Sequence, residues 1–546
     1  MILDARTVPS GTVIESDLCI IGAGSSGISL ALQFAGTGLK VCQVESGGLE
    51  PDRELQALAD GDSIGVRYSS LASCQQRCFG GNGNVWGGWF TPLDAIDFTA
   101  RSWVEDSGWP FGAAELARHS RRVHDLCEVP EDDYDIGAVA KLGDPAARLL
   151  PFDRTLIDSV LYRFSPPTRF GQKYRAEIAA AHNITCYTHA HALSLKARWN
   201  AREIDRVELG TLAGTRFAVR ARQFVLATGA IENARLLLLS NDVATSGLGN
   251  EHDLVGRYFQ DHPHTKRALV TGPAKFPLGL YGLAFRGRGL AAGLALPPRL
   301  QEAERLLNYK ASIYPVFYGE DSAGWAAFRT LALSLSRRWG SDLYDRFALP
   351  FRPRGVRARD VAVMILAPHK TAAAALSHAF HLDRFRVGYV LESKPEQAPN
   401  RDSRILLYDQ RDPFGLPRAR IDWRLRPIDR RTVVRAEELI DGELRRLGLG
   451  RLAPLGPGET ESWPKEFAGG WHQIGTTRAH RDPRHGVVDA DCRLHGVANL
   501  HIAGASVFPT GGAVSPTPTI VAMTLRLAEH LRRTLMATEP LVAGAA

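Results

Sequence analysis

Three glycines near the start of the chain, Gly22-Ala-Gly24-Ser-Ser-Gly27, are spaced for chemistry on phosphates. The first permits a tight turn, the second a close backbone approach to a pyrophosphate, and the third close packing of helix on strand. Ile28, Ala31, Leu32 and Ala35 then share one helical face. The N-terminus of such a helix presents unpaired N–H groups and a positive dipole end to phosphate oxygens. About 20 residues further on, an acid in this kind of unit accepts hydrogen bonds from an adenosine ribose, and Glu45 stands there. The elements that must hold these groups are also legible. Asp17-Leu-Cys-Ile-Ile-Gly22 is a short apolar run that predicts a buried parallel strand, and Leu39–Val44 predicts a second. The result is a βαβ dinucleotide unit. The fingerprint alone does not choose between NAD and FAD; its place at the opening of the chain, with no second fingerprint following, points to FAD.

Four further segments make the reading more specific. Arg77-Cys-Phe-Gly-Gly-Asn-Gly-Asn-Val-Trp-Gly-Gly88 is so rich in glycine that something must lie against its backbone to repay the freedom lost on ordering, and a flat flavin ring would do so. Phe224–Leu238 reads as strand, tight turn and helix. Gly470-Trp-His-Gln-Ile-Gly-Thr-Thr-Arg478 forms the third segment. The fourth runs from Gly486-Val-Val-Asp489 through Asn499-Leu-His-Ile-Ala-Gly-Ala-Ser-Val-Phe-Pro-Thr-Gly-Gly512 to Ser515-Pro-Thr-Pro-Thr-Ile520 and a helix. Together these segments resemble the glucose–methanol–choline (GMC) oxidoreductase family from about residue 15 to about 535. The GTTR, VVD and SVFPTGG stretches, with Glu396-Gln-Ala-Pro-Asn-Arg-Asp-Ser-Arg404, are closest to its sugar- and polyol-oxidising branch.

The resemblance implies an α/β fold: a Rossmann-type FAD-binding domain with a second, α+β substrate domain built on an antiparallel sheet. Residues 1–100, 166–265 and 466–546 would form the discontinuous FAD domain, 266–465 the substrate domain, and 101–165 a connecting or lid segment. It carries the family's catalytic histidine onto His472, in the HxxGT segment that ends at Thr476, and its partner position, usually Asn or His, onto Ser515. A serine hydroxyl there still donates a hydrogen bond, but a shorter and differently aimed one. FAD contacts are expected from Gly22, Gly24, Ser25, Ser26, Gly27, Glu45, Ser46, Gly81, Asn82 and Asn84, and from Ala192, Ala227, Gly504, Ala505, Pro516 and Thr517. Where family members with covalent flavin carry a linking histidine, this chain has Val85, so the FAD is expected to be non-covalent. The implied reaction is oxidation of an alcohol of a sugar, glycoside or polyol by hydride transfer to flavin N5, with histidine as base. Oxygen or another acceptor would reoxidise the flavin. The serine leaves open a non-oxidative reaction such as a lyase, rearrangement or decarboxylation, and a flavoprotein subunit of an electron-transfer complex is a further alternative.

The rest of the chain is consistent with a two-domain globular enzyme of 546 residues. Net charge is +7, from 66 basic and 59 acidic residues spread along the chain, which gives no reason to expect nucleic acid. No apolar stretch reaches the roughly 20 residues of a membrane span, and the N-terminus has no basic region ahead of a cleavable apolar run. Seven scattered cysteines argue against a disulfide framework, so a reducing cytoplasm is the expected location. Asp261-His262-Pro-His264 lacks the ligand set of a metal site and is read as a strand crossing between domains. Cys74 and Cys78, just ahead of the glycine loop, read as small buried side chains. Alternation predicts strands over Phe385–Leu391 and Ile421–Leu425, with a helix following through Val433, Ala436, Ile440, Leu444 and Leu447. Residues 285–370 are arginine-rich and expected to be helical.

Overall fold

The apolar run ahead of the glycines ends the strand Val13–Ile21, whose last four residues are buried. In the computed structural model, this strand lies inside an eight-stranded sheet. The structure describes residues 1–130, 133–140, 147–166, 168–271, 276, 278–281, 289–320, 322–329, 331, 358–366, 368–380, 385–456, 458, 462–464 and 467–537. On one side of Val13–Ile21 the parallel strands Val41–Val44, Ile184–Thr188 and Ile2–Asp4 follow in turn. On the other side lies Arg216–Leu226, also parallel. Its free edge is divided: the first residues pair antiparallel with Ile204–Gly210, and Phe224–Leu226 pair in parallel with Leu500–Ile502.

Between the first two strands the chain forms the helix Ser25–Phe34, buried along most of its length and packed on the C-terminal helix Thr517–Ala537. This is the expected βαβ unit. Gly22 has φ +110°, and a Cβ there would lie 2.5 Å from the carbonyl oxygen of Ala227, so only glycine fits the turn.

A second sheet is antiparallel throughout. Its order is Arg451–Leu452, Pro263–Val270, Arg386–Pro395, Tyr309–Phe317, Leu290–Ala295, Asp158–Phe164 and Trp89–Phe90. The helix Pro427–Arg446 covers it with Ala436, Leu439, Ile440 and Leu444, and together they enclose a separate apolar core. The fold is thus α/β with an α+β second unit, as expected. The segment 101–165, expected to connect the halves, itself contributes Asp158–Phe164 to this sheet. A buried ion pair ties the same segment to the sheet: Arg101 donates to both carboxylate oxygens of Glu396, at 2.7 and 2.6 Å.

Two expectations are corrected. Pro417–Trp423 is a strand, but it pairs with Arg404–Arg411 and Asp62–Gly65 in a separate three-stranded sheet. Ile405, Ile421 and Trp423 pack in the core of the dinucleotide unit, so alternation identified the strand without saying which core its apolar face would meet. Within 285–370, residues 285–288, 321, 330, 332–357 and 367 lie outside the described residues. The described part does not begin as a helix. Leu290–Ala295 and Tyr309–Phe317 are strands flanking the short helix Pro298–Glu304, followed by helices Ala358–Leu366 and Pro368–Phe380. Leu290–Ala295 is a short apolar run mostly buried between sheet neighbours, a pattern that periodicity cannot separate from a buried helix.

A Cβ at Gly27 would collide with the carbonyl of Gly22, which belongs to the turn itself. Gly27→Ala is therefore expected to push the helix off the sheet. It should lower the thermal midpoint by several degrees or more and lose FAD in the same transition, as read by circular dichroism and flavin absorbance together.

Candidate active site

A cavity of about 720 Å³ brings together segments from both ends of the chain. Its wall includes Gly22, Gly24, Ser25, Ser26, Glu45 and Ser46 from the first unit, and Gly81 and Asn82 from the glycine loop. Ala192, Ala227, Gly504, Ala505, Pro516 and Thr517 follow, with His472 and Ser515. Two residues expected at the cofactor do not line it. Gly27 instead faces the Gly22 carbonyl, its role being the close packing of helix on strand. Asn84 turns inward as a brace: its Nδ2 donates to the Phe79 carbonyl at 2.8 Å, and its Oδ1 accepts from Gly171 N at 2.8 Å.

The residues fit a dinucleotide. A Cβ at Gly24, which caps the start of the helix, would meet nothing within 4 Å. Glu45 is buried beside this open space. Its carboxylate accepts from Ala23 N at 2.9 Å and Gly47 N at 2.8 Å, which fixes its orientation and leaves acceptor capacity for a ribose. Burial pushes its pKa up, while those backbone N–H groups oppose the shift. Sequence reasoning missed three charged or polar neighbours at this wall: Arg77, His191 and Glu232. Arg77 donates to Ser46 Oγ at 3.1 Å and pairs with Glu232 at 2.9 Å. Burial raises the Glu232 pKa, but Arg77 and Arg235 outweigh it and hold the group at about 2. No spacing rule joins residues so far apart in the chain, and although Arg77 and Glu232 lie within the glycine-loop and Phe224–Leu238 segments, nothing in those segments pairs their side chains.

His472 is positioned by a buried carboxylate. Asp261 Oδ1 accepts from His262 N at 2.7 Å and His472 N at 2.8 Å, while Oδ2 accepts from Tyr68 OH at 2.6 Å and Trp471 N at 3.0 Å. Trp471 has φ +65°, a costly value for a bulky residue, and its N–H bond to Asp261 helps hold it there. Asp261-His262 directly precedes the sheet strand Pro263–Val270. Asp261, His262 and His472 place potential ligand atoms within 4.8 Å of one another. Hydrogen bonds already engage both Asp261 oxygens and both His262 nitrogens.

His262 Nδ1 lies 2.9 Å from His472 Nδ1, and His262 Nε2 lies 2.7 Å from the Gly512 carbonyl. His264 packs edge-on to His472 with ring centroids 6.2 Å apart. Burial lowers the His472 pKa well below the ordinary histidine value, and the nearby His262, His264 and Lys394 add to the shift. A histidine in this setting is neutral at pH 7 and ready to accept a proton. Ser515 lines the same cavity, two residues ahead of the helix Thr517–Ala537. Val85 also lines the wall, and Cys74 lies there with its thiol directed to the Leu71 carbonyl at 3.3 Å. All seven cysteines are buried, and none of them is in a disulfide.

Residues 399–524 match the family model described as GMC oxidoreductase. The chain is 26% identical to paromamine 6′-oxidase of Streptomyces fradiae, over 94% of its own length and 90% of the relative's. It is 22% identical to 2-methyl-1,2-propanediol dehydrogenase of Mycolicibacterium austroafricanum, over 95% of each. Its fold matches pyridoxine 4-oxidase from Mesorbium loti with a TM-score of 0.59 at 19% identity, covering 95% of this chain and 99% of that one. No described helix is long and apolar enough to cross a membrane.

The open space at Gly24 has a direct test. Gly24→Val places its branch where nothing in the protein stands, so the fold should persist while the pyrophosphate position is blocked. The variant is expected to purify as a folded, largely colourless protein; full FAD occupancy would remove the assignment of this turn to the cofactor.

Proposed function

We propose that the enzyme oxidises a CH–OH group of a sugar, glycoside or polyol-like molecule, with His472 as the base and FAD held without a covalent bond. The observation that carries this reading is the joint lining of one cavity by the dinucleotide turn and by His472, whose pKa is pushed down by burial. The relatives support the substrate class: paromamine 6′-oxidase and 2-methyl-1,2-propanediol dehydrogenase are named for oxidations of hydroxylated compounds, the first of them an aminoglycoside.

Bound FAD would supply the hydride acceptor. The turn around Gly24 and the helix N-terminus would bind its pyrophosphate, and Glu45 its ribose. The protein's own work is then to orient the substrate and move one proton. His472 accepts the hydroxyl proton as the carbon–hydrogen bond breaks, and the Ser515 hydroxyl holds the substrate oxygen. A base with a lowered pKa is deprotonated through the physiological range, so no proton must be removed before catalysis begins.

Four measurements test this reading. Anaerobic mixing with a substrate alcohol should bleach the flavin absorbance, and turnover without bleaching would favour a non-oxidative reaction. In single-turnover reduction, His472→Ala should be slower by at least roughly 100-fold with FAD still bound. Ser515→Ala should lose about 10-fold, the size of one neutral hydrogen bond. With the His472 pKa lowered, the acid limb of the reduction rate should fall below pH 6.5, leaving the rate flat above it. Because Val85 offers no nucleophile, acid precipitation should release all the yellow chromophore into the supernatant. Colour held in the pellet would point to another attachment residue.

A further inference from the structure

His472 is useful as a base only if its cavity-side nitrogen carries no proton, and the hydrogen bonds behind it bear on that condition. A carbonyl oxygen only accepts, so the 2.7 Å contact between His262 Nε2 and the Gly512 carbonyl requires a proton on His262 Nε2. In a neutral ring, that makes His262 Nδ1 an acceptor. The 2.9 Å contact between the two Nδ1 atoms holds one proton, which must then belong to His472 Nδ1. The remaining nitrogen of His472, Nε2, is left with its lone pair and has no hydrogen-bond partner among the described residues.

We propose that His262 is a positioning residue that sets the tautomer of His472: the Gly512 carbonyl orders His262, and His262 orders the base. This rests on the reading of His472 as the base of an alcohol oxidation.

Both rings lie where a cation would be costly. Burial lowers the pKa of His262 and of His472 alike, which keeps both rings neutral before reaction. Gly512 has φ +56°, and a Cβ there would collide with the Asp97 carboxylate, so the position that presents this carbonyl has no room for a side chain. The backbone N–H groups of His262 and His472 are both held by Asp261 Oδ1, which sets the spacing of the two rings.

During oxidation the substrate O–H bond breaks and an N–H bond forms at His472 Nε2, while the carbon gives its hydride to bound FAD. His472 is then an imidazolium, and its Nδ1–H bond to His262 becomes charge-assisted. The pair thus interacts more strongly as the reaction proceeds than in the resting enzyme, which is the condition for accelerating the chemical step.

The test is the ring ¹⁵N spectrum of FAD-loaded enzyme labelled at histidine, at neutral pH. His472 is assigned as the signals missing from His472→Gln. Wild-type His472 is expected to show a protonated Nδ1 and a bare Nε2. His262→Leu, which keeps bulk but removes the acceptor, should move proton population to Nε2 and slow single-turnover flavin reduction by at least roughly 10-fold. His262→Asn can place its Oδ1 at the former Nδ1 position and should recover part of both losses. A proton on His472 Nε2 in the wild type overturns the proposal, as does a His472 spectrum unchanged in His262→Leu. The wild-type spectrum decides even if the leucine variant fails to fold. If the spectra are as expected and no alcohol bleaches the flavin, the tautomer assignment stands and the alcohol-oxidation reading fails.

Discussion

The Asp261 carboxylate is the constraint on which the rest of the site depends. It accepts from a phenol, Tyr68, and from three backbone N–H groups, those of His262, Trp471 and His472. These donors belong to three parts of the chain: the segment ahead of the glycine loop, the entry into the antiparallel sheet, and the turn that carries His472. Hydrogen bonds to a charged group are worth about 1.5–3 kcal/mol each, but burying the carboxylate is costly in its own right. Its main return is therefore local order and not net stability: loss of the carboxylate would leave buried N–H groups without this acceptor and would remove the bond that the N–H of Trp471 makes to it from an unfavourable backbone conformation.

The sequence disclosed the parts with strong local rules. The Gly22–Gly27 turn, the flanking strands and Glu45 follow from backbone sterics and helix electrostatics, and the structure forms the βαβ unit that they require. His472 and Ser515 came from resemblance to a family motif, because a lone histidine or serine has no spacing signature. The hydrogen bonds that orient His472 were not legible. Asp261-His262-Pro-His264 was read as a crossing strand; the strand begins only at Pro263, and the reading is silent about the side chains of Asp261 and His262. Their partners, at positions 68, 471, 472 and 512, meet them only in three dimensions. The strand Pro417–Trp423 shows the same limit: alternation marks a half-buried strand but not the sheet it joins. Asn84 shows it at the scale of a single side chain, since a glycine-rich loop needs internal braces as well as ligand contacts.

Charge around His472 is arranged with similar economy. Beyond His264, the carboxylate of Glu392 pairs with Lys394 at 3.2 Å and with Lys266 at 3.6 Å. Lys394 also lies 4.0 Å from the centre of the Trp89 ring. One carboxylate faces two ammonium groups, so positive charge remains, and Lys394 and the two neighbouring histidines add to the burial that depresses the basicity of His472. The second sheet therefore contributes electrostatics to the site.

The pairing of Leu500–Ile502 with Phe224–Leu226 has a consequence for how the molecule comes to exist. The two strands are adjacent in space, yet the later one leaves the ribosome long after the earlier one. Until then the edge of Phe224–Leu226 has open N–H and C=O groups along an apolar strand, the kind of edge that recruits other chains. Contacts of such long sequence separation form slowly and leave partly assembled states exposed. Synthesis of this protein therefore includes an interval in which its central sheet is incomplete, and its yield in a cell should depend on how well that unfinished edge is sheltered from neighbouring nascent chains.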